Sequence, residues 1–274
     1  MKLLLRLSLL ILLPFNAILA QPILSTGGKE MPNEWIDSAT GHRVVKLTRK
    51  KNTSNLGFYF HNNPFIGNKM VYYSSDKNNT NGVAKQETFS VNSRNKQLHL
   101  LDLKTFESEQ LTFDQKPMNG EIVHAKSGTI YYQIQDTVFA VNATTKKTRV
   151  VYVFKNQYRG SVAAINANGK YLAGVRVEEK EREIFRNNPQ KSSYFDLIYE
   201  AKLPRALFTI DTENGTLKEV HTDSAWLNHV QFSTTDPDLL MFCHEGPWHK
   251  VDRIWTIRLS TQKTMLIHKR TMPM

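Results

Sequence analysis

Thr209-Ile210-Asp211-Thr212-Glu213-Asn214-Gly215 is a short β-branched run that ends on a carboxylate and enters an Asn-Gly turn. Asn-Gly after an apolar run signals a β-hairpin, because both residues accept the backbone of a tight turn. The same arrangement recurs along the chain. Trp35-Ile36-Asp37 is followed by Thr40-Gly41 and Val44-Val45, Leu100-Leu101-Asp102 by Thr105, Ala140-Val141-Asn142 by Thr145, and Thr256-Ile257-Arg258 by Thr261. The marker positions 37, 102, 142, 211 and 258 are spaced by 65, 40, 69 and 47 residues. The two long gaps hold polar inserts at 76–97 and 178–200. Without them the period is about 40–47 residues, the length of a four-stranded propeller blade.

Other strand signals fill the spaces between the markers. Met70-Val71-Tyr72-Tyr73, Thr129-Ile130-Tyr131-Tyr132, Tyr171-Leu172-Ala173-Gly174-Val175 and Leu239-Leu240-Met241-Phe242 are apolar or aromatic, and each follows a turn signal. Helical periodicity is confined to a short stretch at 177–186. The expectation is an all-β chain, a β-propeller, with an irregular β-sandwich of similar hairpins as the competing arrangement. The first hairpin has no inner strands of its own. In a propeller such a strand completes the last blade, so the repeat predicts a chain that stops before its ring is closed, or else a compact ring of four or five blades.

The N-terminus reads as an export signal. Lys2 and Arg6 precede an apolar run at 7–13, Pro14 and Asn16 break it, and Ala20-Gln21 is a plausible cleavage point. The run is too short to span a bilayer, so no stable membrane anchor is expected. The organisation predicted is therefore a signal peptide over 1–20 and one partial propeller domain over 21–274, in a periplasmic or secreted protein. The whole chain carries a net charge of +11; without Lys2 and Arg6, 34 basic residues face 25 acidic ones, +9. That balance favours anionic partners. In an exported protein it points to an anionic polysaccharide rather than nucleic acid, although charge for solubility alone gives the same composition. The single cysteine, Cys243, excludes an internal disulfide and reads as a buried, inert thiol.

Chemistry-bearing residues are densest at Trp226-Leu227-Asn228-His229 and at Cys243-His244-Glu245-Gly246-Pro247-Trp248-His249. A turn at 234–238 joins them, so His229 and His244 are expected near one end of a hairpin, approaching a common pocket. His244 and His249 are five apart with Gly246-Pro247 between them, unlike the helical zinc motif with histidines four apart. Arg205 and Arg176, beside predicted strands, could each grip a carboxylate bidentately or simply be solvated. His61 lies in the aromatic turn Phe58-Tyr59-Phe60-His61-Asn62 and suits stacking against a sugar or packing. The mixed-charge run at 178–183 reads as a solvated insert. No Gly-rich phosphate loop, Gly-x-Ser-x-Gly elbow or Cys-x-x-Cys pair occurs, so phosphoryl transfer, serine hydrolysis and dithiol redox chemistry have no support.

Trp35-Ile36-Asp37 through Gly41-His42-Arg43-Val44-Val45-Lys46-Leu47-Thr48, the Phe60-His61-Asn62 turn, and Cys243-His244-Glu245-Gly246-Pro247-Trp248 with Val251-Asp252 resemble the oligogalacturonate lyases. The resemblance runs from about Asn33 to the C-terminus. It implies a seven-bladed propeller, of which this chain covers roughly the first four to five blades. It also implies β-elimination on short galacturonides, giving unsaturated keto-uronate monomers in pectin breakdown. The C5 proton beside the substrate carboxylate is weakly acidic, so the reaction needs a base at C5 and a cation on the carboxylate. On this resemblance His229 is the base and Arg205 the carboxylate clamp; His244, Trp248, His61 and Arg176 are the candidate substrate contacts. The resemblance implies Mn2+ as cofactor, with no ligand set matched within 1–274. The alternative from a different class is a non-catalytic exported propeller that binds an anionic glycan or an envelope protein.

Overall fold

The computed structural model describes residues 23–24, 31–76 and 96–272. The predicted signal segment and most of the insert at 76–97 lie outside the described residues. The chain forms two compact units, residues 1–49 and 50–274. In the first, β1 (Ile23–Leu24) pairs in parallel with β2 (Glu34–Asp37), which forms an antiparallel hairpin with β3 (Arg43–Val45).

Among the described residues the second unit contains four antiparallel sheets, three with four strands in chain order and one with five. The first is built on β4 (Thr53–Leu56), β6 (Lys69–Asp76), β7 (Gln97–Asp102) and β8 (Ser108–Gln110), with the two-residue β5 (Phe65–Ile66) also paired to β6. The second comprises β9 (Asn119–His124), β10 (Thr129–Ile134), β11 (Thr137–Asn142) and β12 (Thr148–Val153). The third comprises β13 (Gly160–Ile165), β14 (Tyr171–Arg176), β15 (Arg205–Asp211) and β16 (Leu217–Asp223). The fourth comprises β17 (Trp226–Phe232), β18 (Leu239–Glu245), β19 (Ile254–Arg258) and β20 (Thr264–His268). Four-stranded meanders at this period are propeller blades.

The repeated marker has one structural meaning. Asp102, Asn142, Asp211 and Arg258 each end the third strand of a blade, and Asp37 ends β2. At every copy the backbone N–H four residues on donates to the marker carbonyl, over 2.7–2.9 Å. That fourth residue has positive φ in all five: Gly41, Phe106, Lys146, Gly215 and Gln262. Where the marker is Asp or Asn, its side-chain oxygen also accepts from the N–H groups two and three residues on; Asp211 Oδ1 takes those of Glu213 (2.9 Å) and Asn214 (3.1 Å). Short Asx side chains thus satisfy turn donors that would otherwise need water. These backbone N–H groups hold the Asp211 and Asp102 carboxyls below the ordinary range.

Blades bury both faces, and this explains why the strands read as apolar runs without alternation. Tyr132 and Val141 pack against Val71 and Leu98 of the preceding blade, while Tyr131 and Ala140 pack against Leu172 and Phe208 of the next. Ala173 and Leu207 then face Leu227, Leu240 and Phe242 of the fourth blade. Gly174 shows how close the strands approach: a Cβ there would sit 2.1 Å from the Ser161 carbonyl oxygen.

The insert at 178–200 has the helix expected at 177–186 and otherwise departs from the sequence expectation. It folds into two helices, α1 (Glu179–Asn187) and α2 (Lys191–Ala201). It is not simply solvated, because Glu181 and Ile198 are buried. Phe195 of α2 meets the Trp226 ring at 5.4 Å, which fixes the helical pair to the fourth blade. No helix among the described residues is long and apolar enough to cross a membrane.

Candidate active site

A cavity of about 440 Å3 opens between the innermost strands of the third and fourth blades. Ser161 and Ala163 of β13, Val175 of β14 and residues 226–230 of β17 form its walls; Glu181 and Phe185 of α1 and the turn residues Tyr59 and His61 complete it. The inner strands are shaped for this role by bulges. In the second, third and fourth blades the register between first and second strand slips by one residue. Such a bulge re-aims a side chain. In the second blade the positive-φ residue of the bulged strand is Gly120, at +87°; in the fourth it is His229, at +48°. A β-position with left-handed backbone favours glycine, and holding a histidine there costs of order 1–3 kcal/mol. His229 therefore sits within its strand, at the bulge.

His229 is framed on several sides. Glu245 Oε2 lies 3.0 Å from its Nε2. Glu245 is itself fixed by Arg253, whose Nη2 donates to Oε1 at 2.8 Å while Nη1 donates to the Gly246 carbonyl at 3.0 Å. The Tyr59 ring is nearly parallel to His229 at 6.5 Å, and His61 stands edge-on at 6.2 Å. The turn carrying these rings is anchored by Glu121, which accepts from the Tyr59 backbone N–H at 2.7 Å and from Asn62 Nδ2 at 3.3 Å. His61 Nδ1 is buried and has no hydrogen-bond partner among the described residues. Burial, and then the neighbouring His229, pull the His61 imidazole below its ordinary value.

Arg205 is placed differently from the expectation of an open clamp. Its side chain is 0% exposed and its Nε donates to Glu181 Oε2 at 2.7 Å; Glu181 is 4% exposed. Nη1 donates to the carbonyls of Leu203 and Ala225, both at 3.2 Å, and Nη2 is buried without a partner among the described residues. Glu181, not Arg205, lines the cavity, so the arginine stands behind a carboxylate wall. Burial pushes the Glu181 carboxyl up, and the Arg205 guanidinium opposes it.

His244 does not share the pocket with His229. Adjacent residues of a strand point to opposite faces, so Glu245 turns to His229 while His244 turns away. His244 stacks on Trp255 at 4.9 Å, and its Nε2 lies 3.5 Å from Asp223 Oδ2 without hydrogen-bond geometry. Arg176 is spent on the protein's own carboxylates, Glu178 at 2.6 Å and Glu219 at 2.7 Å. Trp248 is 66% exposed, outside the cavity wall, with the Arg253 guanidinium 5.0 Å from its ring centroid. Cys243 is buried, which pushes its thiol up to about 11 and leaves it un-ionised at neutral pH.

Sequence reasoning missed Glu181, Glu121, Tyr59 and the function of Glu245. The first was hidden in a mixed-charge run, and its partner is 24 residues away. Glu121 offered no local signal, since its partners are about 60 residues away in another blade. Glu245 lay in the densest motif, but only the hairpin register brings it beside His229.

A cleft on the inner strands of a propeller, walled by two histidines, aromatic rings and one carboxylate, is the kind of site a β-propeller enzyme carries. The chain belongs to the oligogalacturonate lyase family, whose sequence profile matches residues 28–270. It is 24% identical over 228 residues to an oligogalacturonide lyase of Pectobacterium atrosepticum, covering 81% of this chain and 53% of that protein. It is 23% identical to an oligogalacturonate lyase of Dickeya dadantii, with the same coverage. The chain thus spans about half the length of the curated relatives it matches. Among solved structures, an oligogalacturonate lyase in complex with manganese matches with a TM-score of 0.70 at 23% identity, over 86% of this chain and 59% of that one. The oligogalacturonate lyase of Vibrio parahaemolyticus matches with a TM-score of 0.68 at 22% identity, over 86% and 58%. These structures share the fold.

Among the described residues no three His, Cys, Asp or Glu side chains gather as a metal site. At the cavity His229 is held against Glu245 and Glu181 against Arg205, so the carboxylates there are already engaged.

Proposed function

We propose that this chain carries the galacturonide-binding face of a lyase that cleaves short oligogalacturonides by β-elimination. The observation that carries the reading is the framing of His229. A histidine is held in left-handed backbone at a bulge, beside a fixed carboxylate, on the wall of a cavity large enough for a sugar ring. The base takes the proton from C5, the C5–H electrons form the C4–C5 double bond, and the C4–O bond breaks with its oxygen leaving to be protonated. His229 is the base: a neutral imidazole can accept a proton near neutral pH, whereas a guanidinium cannot.

Arg205 serves the substrate carboxylate. To do so it exchanges Glu181 for that carboxylate, and Nη2 is the donor that gains a partner. Tyr59 offers the sugar an aromatic face, with the His61 ring edge-on beside it. Manganese dependence and export to the periplasm or medium are parts of the same proposal, with the metal held by groups other than those described. The basic charge suits an anionic polymer fragment.

The test is turnover of an unsaturated digalacturonide, followed by loss of the absorbance of its conjugated double bond, with added manganese and with a chelator. Turnover abolished by His229→Ala in a folded protein supports the reading. A folded chain that binds galacturonides but never turns them over, with or without manganese, leaves a binding propeller instead.

A further inference from the structure

Glu245 has no part in the roles given so far, yet it is the group best placed to govern His229. Three observations converge on it. It is part-buried, with 12% of its side chain exposed, and its two oxygens point to different partners: Oε2 stands 3.0 Å from His229 Nε2, and Oε1 accepts from Arg253 Nη2 at 2.8 Å. Arg253 cannot easily swing away, because its second terminal nitrogen is bonded to the Gly246 carbonyl and its guanidinium lies over Trp248. Finally, Gly246 fixes the turn after Glu245. It has a φ of +149°, and a Cβ there would sit 2.6 Å from the Tyr199 ring.

We infer that Glu245 is a positioning residue for the elimination reaction: its carboxylate, at ion-pair distance from Nε2, draws the His229 ring proton to that nitrogen and leaves Nδ1 as the one that can accept a proton. Which nitrogen of an imidazole is free is set by the partner of the other. A carboxylate on the far nitrogen also stabilises the imidazolium that forms when a proton arrives. The Arg253 guanidinium holds Glu245 in place, in the way that outer partners orient a reacting histidine. Trp226 and Glu245 are register partners across β17 and β18, so the bulge that follows at His229 turns its ring back towards this carboxylate. Arg253 thus acts on His229 only through Glu245.

The inference rests on His229 being the base, so its test separates the two. In the chain labelled with 15N-histidine, the His229 ring signals are identified by their loss in His229→Ala. The expected wild-type result is a neutral ring protonated on Nε2, with a ring-proton signal slow enough in exchange to observe. Glu245→Ala should lose that ring-proton signal. Glu245→Gln, which keeps an acceptor oxygen but no charge, should retain it at a changed shift. A wild-type ring protonated on Nδ1, or a ring-proton signal unchanged in Glu245→Ala, overturns the inference, and the wild-type measurement decides this even if a Glu245 variant fails to fold.

In the turnover assay Glu245→Gln should lower kcat by about 10–100-fold with KM changed by less than about two-fold, the pattern of a group acting in the transition state. Inactive His229→Ala beside fully active Glu245→Gln overturns the role of Glu245 alone. Full activity of His229→Ala overturns the assignment of the base. With no turnover from the wild-type chain, the ring-proton signal alone decides whether Glu245 holds His229.

Discussion

Replacing Glu181 by alanine should be among the most damaging single changes in the protein. Among the described residues its carboxylate is the only anionic partner of Arg205, which is fully buried. After the change the guanidinium keeps two carbonyl contacts at 3.2 Å, from Leu203 and Ala225, and no counter-charge. Two unit charges about 4 Å apart attract by about 4 kcal/mol at the effective dielectric of a protein interior. Removing one member of a buried pair costs about 3–5 kcal/mol, mostly because the other charge stays buried. For a unit of this size each kcal/mol shifts Tm by about 2–4 °C, so a fall of about 10 °C is expected. Urea unfolding followed by tryptophan fluorescence measures the loss. The double variant Glu181→Leu with Arg205→Met should recover most of it, since a well-packed apolar pair replaces a buried ion pair at little cost. A Glu181→Ala protein within about 1 kcal/mol of wild type would refute the argument. So would a double variant as unstable as the single, because then packing of α1, not charge, was lost.

Other outcomes follow from the same structure. His229→Gly should be more stable than His229→Ala by about 1 kcal/mol in the same assay, because glycine alone removes the strain of left-handed backbone at the bulge. Gly174→Ala should lower Tm strongly, since its Cβ would meet the Ser161 carbonyl oxygen and the Phe208 ring, and neither neighbouring strand of the blade can retreat. Burial, and then the nearby Lys50, depress the His99 imidazole to about 4 in the folded protein, below its ordinary value near 6.5. The unfolded chain therefore binds the proton first. The contribution of His99 is fully present above about pH 6.5 and is lost as pH falls towards 4, with His61 and His244 depressed in the same direction. His99→Phe should flatten Tm against pH across that window. Glu121→Ala should free the turn bearing Tyr59 and His61, raising KM for a galacturonide more than it lowers kcat.

Much of the fold was written locally. A β-turn needs only a few adjacent residues, so the carboxylate or amide at 37, 102, 142 and 211 announced each hairpin, and its spacing announced the blade. Arg258 belongs to the series although it lacks the Asx side chain, because the backbone bond from Gln262 closes the same turn. Some local signals were read too blandly. The charged run at 178–183 resembles any solvated segment, and only the packing of α1 makes Glu181 a buried partner for Arg205. α2 has weak amphipathic character, and its place is set by Phe195 against Trp226.

The sequence by itself determined the hairpins, their period, the all-β class and the motif around His229 and Glu245, because these depend on neighbours a few residues apart. Only the tertiary structure decided which of those residues meet. Strand alternation sends His244 away from His229 although both lie in one hairpin. A one-residue bulge turns His229 towards Glu245 and the cavity. Blade stacking brings Tyr59, His61 and Glu121 to the same site from far along the chain. Register and stacking are cooperative properties of whole sheets, set by the burial of both faces at once, and no single stretch of sequence carries them.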